Sequence, residues 1–356
     1  MSITGIEAAG QETAASEGAL DASAAKIQGR SQWQLTWRRL RRDRVAMTAL
    51  IVILVIVVLA LAAPLFVSIT HHPPNVAYPN TGEDAAGNPV GPGTAGFWLG
   101  TDGTGRDLFI RILYGARISL FVGFVTTGIG VVAGVAVGLM AGYFGGFVDT
   151  VLARFTDAVL AFPYIVLALA LAVVLGPSLT VIIGVIAFFS WAAIARIVRG
   201  QTLSIKEKEY IEAARSLGAG PFRIMFLDIL PNLLAPVLVL ATLYIPTAIV
   251  FEATLSYLGL GIQPPTASWG NLLSDAQNFY QVAWWYVIFP AAALLITTLA
   301  FNLFGDGIRD AMDPRTERAF AAGRARRRRG KRQVLANDGG SDMSHVAPYV
   351  PPAGGS

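Results

Sequence analysis

The sequence predicts an all-α membrane protein with six transmembrane helices and both termini on the cytoplasmic side. Three observations predict it. The 356 residues are 54% hydrophobic and only 14% charged, against roughly 25% charged in soluble globular domains. Apolar runs long enough to cross a bilayer, about 20 residues each, recur along the chain. Basic residues are distributed asymmetrically: with both termini inside, all 27 lysines and arginines except Arg106, Arg111 and Arg117 fall on the cytoplasmic side. Retention of Lys and Arg inside is the expected bias. A five- or seven-span reading would put one of the two basic terminal clusters outside.

Residues 1–30 are rich in Ala, Gly, Ser and Glu with no sustained apolar face, and read as a disordered cytoplasmic N-terminus. Residues 31–45 form a basic amphipathic stretch, with Trp33, Trp37 and Leu40 at helical spacing and Arg38, Arg39, Arg41, Arg42 and Arg44 among them. An interfacial helix that meets lipid headgroups and a basic flank that only sets topology stand level. The first span is 46–69. The run Ala60–Ala63 has the small-residue look of a signal cleavage site, but it follows too long an apolar stretch too far into the chain. An extracytoplasmic loop covers 70–117, its later part dense and partly helical.

Five more spans form a core at 118–304: about 118–141, 158–175, 179–194, 233–251 and 286–304. Gly176-Pro177-Ser178 is a tight turn between two of them. A polar cytoplasmic loop at 200–231 interrupts the core. The tail, 305–356, is cytoplasmic, basic and mostly disordered. Its cluster Arg324, Arg326–Arg329, Lys331 and Arg332 fits either an anionic-lipid anchor or a solvated tail that reinforces topology.

Composition excludes several chemistries. The chain has no cysteine, and its three histidines are His71, His72 and His345. The pair His71-His72 lacks a nearby acidic or third imidazole partner in sequence, so a solvated loop is the stronger reading over a metal site. The four lysines occupy no phosphate-cradling loop, and neither HExxH nor GxSxG occurs. No catalytic residue, bound cofactor, metal ligand or nucleic-acid surface is expected. The net charge of +4 is accounted for by topology.

Within the spans Glu252 is the ionisable residue that stands out. It is a functional candidate by default, set against a helix-end residue that reaches the interface. Pro163 and Pro246 lie inside spans and permit bends, which makes them, with Glu252, the candidate gating or kink residues. Gly130, Gly134 and Gly138 repeat at four-residue spacing and share a face that allows close helix contact.

The loop segment EAARSLGAGPFRIMFLDILP, Glu212–Pro231, is the clearest functional signal. Tyr210, Ala213, Ala214 and Leu217 make a modest apolar stripe, and Lys206, Lys208, Glu209, Glu212 and Arg215 keep the other faces polar. Gly218 and Gly220 stop the helix, and Pro221 suits the first turn of a second one. The expected product is an elbow whose alanines leave one side thin enough for a partner to approach closely. Pro231 marks the return to the bilayer.

These residues resemble the cytoplasmic-loop motif of ABC importer permeases, E-A-A-x-x-x-G followed after nine residues by I-x-L-P. Glu212, Ala213, Ala214, Gly218, Leu230 and Pro231 match, while Asp228 stands where the general motif has Ile. A polar residue there is similar to the dipeptide/oligopeptide branch. Residues 99–120, 142–163, 256–273 and 301–315 also resemble that branch, in its C-type permease, and the likeness covers about 31–315. The first 30 residues, the Asn/Gly-rich part of the first loop and the arginine-rich tail depart from it.

The resemblance implies a type I importer permease (MetI-like) fold and a subunit that moves di- or oligopeptides across the plasma (inner) membrane. The resemblance implies a transport subunit and not an enzyme. ATP and Mg are used by one or two separate ATPase subunits, which grip the motif residues as a coupling helix. The other implied partners are a homologous second permease, an extracytoplasmic substrate-binding protein, the peptide and membrane lipids. Carriage of a nickel chelate or glutathione is the alternative within the class. A non-transporting scaffold or sensor is the remote one.

Overall fold

The computed structural model describes residues 32–312. The readings made above for residues 1–30 and for the tail beyond 312, His345 and the arginine cluster included, lie outside the described residues. Helices α1 (Gln32–Leu40), α2 (Arg44–Leu61) and α3 (Ala63–Thr70) open the described chain. They are followed by α4 (Leu108–Phe144), α5 (Gly146–Ala161), α6 (Tyr164–Leu175), α7 (Leu179–Lys206) and α8 (Glu209–Ser216). The last three are α9 (Leu230–Tyr257), α10 (Trp269–Ala276) and α11 (Trp284–Met312). Among the described residues, β-structure is limited to two isolated bridges in the first loop, Glu83 with Pro89 and Thr101 with Asp107.

Among the described residues, five helical stretches are long and apolar enough to cross a membrane: α2, α4, α7, Pro221–Tyr257 and α11. The pair α5 and α6 passes the same test together but is bent by 81°. Counted as one broken span it brings the number to six.

Local chemistry accounts for the breaks. The side chain of Asp43 accepts from the Val45 and Ala46 amides and caps α2. Pro64 has no N–H, so the first apolar run breaks at Ala62 and restarts as α3 with proline in its first turn. The run expected at 46–69 is therefore two helices. Asp107 caps α4 by accepting from the Ile110 amide. Helix α4 thus begins ten residues earlier than the span expected at 118, and its 37 residues are roughly 55 Å long at 1.5 Å per residue. That exceeds a hydrocarbon core of about 30 Å.

Gly145 and Gly146, with φ of +67° and +54°, turn the chain from α4 into α5. Phe162 before Pro163 is extended, with ψ 137°, as the residue before a proline tends to be. Phe162 and Pro163, both extended, separate α5 from α6. Ser178 caps α7 by accepting from the Val181 amide.

The core is built on a glycine seam between α4 and α7. A methyl group at Gly134 would sit 2.7 Å from Ile194 Cβ, one at Gly138 2.6 Å from the Ala195 carbonyl oxygen, and one at Gly142 2.6 Å from Thr202 Cβ. At Gly130 it would collide with Ser190. The four-residue repeat therefore does bring two helices into backbone contact. Helix α9 crosses the same α4, with Ile249 against Gly123. At the other end of the chain, Gly307 of α11 receives Ala46 of α2 and Leu40 of α1, and Arg39 donates to the Ala311 carbonyl.

The end of the bundle that carries the loop between α3 and α4 holds buried charge. Arg106 and Arg111 place Nε at 2.7 and 2.9 Å from Asp102 Oδ2, and Arg111 also donates to the Pro74 and Pro265 carbonyls. Asp102, Asp107 and Arg111 are fully buried. Burial pushes the neighbouring Asp275 carboxyl above the usual carboxylate range, and Arg111 opposes that shift. His72 corrects the reading of a solvated loop. Its Nδ1 lies 2.7 Å from Asp107 Oδ2, and its ring stacks on Phe97 with centroids 4.5 Å apart. The acidic partner that sequence proximity could not supply comes from 35 residues away. Among the described residues no group of three His, Cys, Asp or Glu side chains is placed to hold a metal.

Candidate functional site

The elbow is a two-turn helix, α8, held between the ends of α7 and α9. Only Glu207 and Lys208 separate it from α7, and the Lys208 amide donates to the Ile205 carbonyl across that turn. Gly218, at φ +83°, closes the helix. The Gly218 amide donates to the Arg215 carbonyl and the Ala219 amide to the Ala214 carbonyl, the paired bonds of a Schellman cap. Nothing lies within 4 Å of a Cβ added to Gly218. Glycine is required there by the left-handed backbone alone.

Beyond Gly220 a single turn, Pro221–Arg223, leads into a wide π turn, Ile224–Ile229. Pro231 explains the widening. It offers no N–H to the Leu227 carbonyl, and its ring clashes with an α-helical carbonyl four residues back. Instead the Leu230 amide donates to the Met225 carbonyl, five residues back. Asn232 Nδ2 donates to the Asp228 carbonyl at 2.7 Å. Asp228 Oδ2 is buried with no hydrogen-bond partner among the described residues.

The buried face of α8 differs from the expected stripe. Ile211 is fully buried against Ile194, Val198, Ile224, Met225 and Ile229, with Ala214 packed partly beside it. Tyr210 is half exposed and Leu217 is 88% exposed. The stripe fails because Leu217 is the C-cap of a helix only two turns long. Its side chain therefore points past the end of the packed face. Arg215 lies over the Tyr143 ring at 5.5 Å, tying α8 to the end of α4. What remains outward is Glu212, Ala213, Ser216 and Gly218, all exposed, with Ala214 and Leu230 half-buried and Pro231 exposed. The six motif residues thus sit on one elbow, with Glu212, Ala213 and Gly218 presented and Ile211 as the anchor that the sequence reading missed. Its signal was the pair Ile211 and Ala214 at i, i+3.

Pro163 and Pro246 flank a second feature. Pro163 is the N-cap of α6 at the 81° bend, and Pro246 is buried inside α9. Between these helices and α7 lies an apolar cleft of about 270 Å³. Its lining includes Thr127, Phe162, Tyr164, Phe189, Tyr244 and Phe251, with Tyr164 and Phe251 stacked at 4.7 Å. Thr127 Oγ1 is buried without a hydrogen-bond partner among the described residues.

Glu252 lies apart from the cleft's lining and does not reach an interface. Helix α9 continues past it to Tyr257. Its carboxyl is fully buried and accepts from Ser119 Oγ at 2.9 Å and Ser256 Oγ at 2.7 Å. Ser256 Oγ in turn accepts from the Ile262 amide. The residue fastens α4, α9 and the loop after α9 together.

The family described as "Binding-protein-dependent transport system inner membrane component" matches residues 134–318. The "N-terminal TM domain of oligopeptide transport permease C" matches 31–83. The chain is 41% identical to the dipeptide transport system permease protein DppC of Alkalihalophilus pseudofirmus, covering 80% of this chain and 90% of the relative. It is 40% identical to the oligopeptide transport system permease protein OppC of Salmonella typhimurium, covering 82% and 93%. A glutathione transport system permease protein, GsiD of Escherichia coli, is 42% identical over 81% of this chain and 92% of its own length. With its several apolar helices, the chain is a multi-pass membrane protein that belongs to the family of binding-protein-dependent transport system inner membrane components, in the branch of the dipeptide and oligopeptide permeases.

Proposed function

We propose that this chain is one half of the membrane channel of an ATP-driven importer of di- or oligopeptides. It crosses the plasma (inner) membrane six times, with α5 and α6 as one broken span and both termini in the cytoplasm. A homologous second permease completes the channel. An extracytoplasmic binding protein delivers the peptide, and one or two separate ATPases use ATP and Mg to drive transport. Lipids surround the apolar helices, and the chain itself holds no cofactor.

One observation carries the reading. A two-turn helix between two spans is anchored by the buried Ile211 and presents Glu212, Ala213 and Gly218 to solvent. A small, rigidly mounted polar helix of this kind fits a groove on a soluble partner, where exposed alanines permit close approach. Peptide cargo is supported by the printed names of the DppC and OppC relatives. Glutathione is the second reading, favoured by the GsiD relative at similar identity.

The test is reconstitution with the neighbouring permease, ATPases and binding protein, followed by ATP-dependent uptake of labelled peptides and of glutathione. Wild type is expected to take up peptide. Gly218→Pro, or Glu212→Ala combined with Ala213→Asp, is expected to lose both uptake and ATPase co-purification. Folded variants that keep both would sink the docking assignment, and uptake of glutathione alone would replace the peptide cargo.

A further inference from the structure

Helix α5 is positioned as a lever. It starts at the Gly145-Gly146 turn, where both residues have positive φ and nothing lies within 4 Å of a Cβ at Gly146. It ends at the 81° bend, whose flanking residues Phe162 and Tyr164 line the apolar cleft. Unlike α4, it has no glycine seam against α7. Polar and aromatic ties hold it there instead. Asp149 and Arg199 make a two-pronged pair, with Arg199 Nη2 donating to Asp149 Oδ2 at 2.7 Å. Asp157 and Arg196 make a second pair at 2.6 Å, and Phe155 stacks on Trp191 with centroids 5.6 Å apart.

The two ion pairs are unequal. Asp157 and Arg196 are more than half exposed, the regime in which an ion pair adds little. Asp149 and Arg199 are 20% and 35% exposed, and the fork geometry fixes direction as well as distance. On the other side, Arg199 belongs to the helix that runs without interruption to Lys206 and turns directly into the elbow. The neighbouring Thr202 and Val198 are locked into α4 by Gly142 and Gly138. Displacement of the elbow is therefore passed to α7, and among the ion pairs that tie α7 to α5 the one at Arg199 lies nearest the elbow.

We propose that the Asp149–Arg199 pair is a positioning device that passes movement of the elbow to α5, and through the Pro163 bend to the cleft. This rests on the importer reading above. The device is the ion pair together with its two ends, a glycine hinge at one and a proline bend at the other. Packing of α5 on α7 through Phe155 and Trp191 persists without it, so loss of the pair uncouples the lever and leaves the bundle assembled.

The chain has no cysteine, which makes spin labelling clean. Labels at Phe162→Cys and Leu299→Cys, both more than half exposed, report the bend against α11. The measurement is the change in their distance distribution on trapping the full reconstituted transporter with ATP and vanadate. Wild type is expected to show a nucleotide-dependent shift. Asp149→Asn and Arg199→Gln are expected to lose at least two thirds of it with ATPase co-purification unchanged, and Arg199→Lys to lose less. The exchange Asp149→Arg with Arg199→Asp is expected to recover half or more.

Single variants that keep the full shift overturn the proposal. So does an exchange that recovers nothing while the complex stays assembled. A wild-type complex that binds ATPases and shifts, with variants that also shift, sinks the linkage alone. A wild-type chain that binds no ATPase sinks the importer reading and the linkage with it.

Discussion

Replacing Gly138 by alanine tests the α4–α7 seam with the smallest perturbation available. The new Cβ would lie 2.6 Å from the Ala195 carbonyl oxygen and 2.8 Å from Val198 Cβ, where ordinary contact begins at 3.4 Å. Since 3.4 minus 2.6 is 0.8, the helices must part by about 0.8 Å at this point. Ala195 O is backbone and cannot rotate away. A radial gap of about 0.5–1 Å forfeits a quarter to a half of each dispersion contact it opens, so the neighbouring contacts at Gly134 and Gly142 weaken as well. Overpacking of this kind costs about 1–3 kcal/mol.

Gly128 on the same helix is the control. Nothing lies within 4 Å of a Cβ there, and alanine in a helix interior is favoured over glycine by up to about 1 kcal/mol. The same chemical change is thus expected to lower thermal stability by several degrees at 138 and to leave it unchanged or raised at 128. Midpoints of fluorescence-detected size-exclusion loss after heating the solubilised protein would report both. Equal shifts at the two positions, or a rise for Gly138→Ala, would refute the reasoning.

Three further outcomes are expected. Ile211→Ala removes the anchor of α8 at a local cost of about 2–5 kcal/mol, so hydrogen exchange in residues 209–217 should accelerate while α4 and α7 stay protected; unchanged protection of α8 would show that another contact holds it. Gly218→Ala forces a β-carbon into the left-handed region at about 1–2 kcal/mol, roughly a 5- to 30-fold loss of affinity for the partner ATPases in a binding titration, with Gly218→Asn milder; an alanine variant that binds as wild type would separate the cap from docking. Glu252→Ala strands the Ser119 and Ser256 hydroxyls in a buried site at about 1–3 kcal/mol, whereas Glu252→Gln keeps an acceptor, and equal thermal losses for the two would remove the hydroxyl clamp from the explanation.

Much of this architecture is legible in the chain because bilayer physics is coarse. Apolar runs of span length, a four-residue glycine repeat and prolines inside helices each act locally, and each can be read from a window of one or two turns. The size of the bend at Pro163 cannot, because proline permits a bend and the surrounding packing sets its angle. The charged residues mark the limit most clearly. Asp149 and Arg199 lie 50 residues apart, and Glu252 and Ser119 are separated by 133. Singly each reads as a polar residue near a helix end. Only the fold makes one a pair and buries the other. The elbow shows the same limit at short range, since a two-turn helix is too short for periodicity to distinguish a stripe through Tyr210 from one through Ile211.

The wide turn at Ile224–Ile229 bears on how this loop responds to changes in length. An α-helix advances about 100° per residue, and a π turn holds one residue more than an α turn. Deleting a single residue between Gly218 and Pro231 would therefore do more than shorten the connection. Because Pro231 keeps the turn from closing to α, the loss would not be absorbed there, and everything ahead of it would rotate by about a quarter turn relative to α9. Glu212 and Ala213 would then face a new direction with every motif residue still present. The nine residues between Gly218 and Asp228 consequently act as an angular setting. An insertion or deletion there should be as damaging to docking as loss of the motif itself.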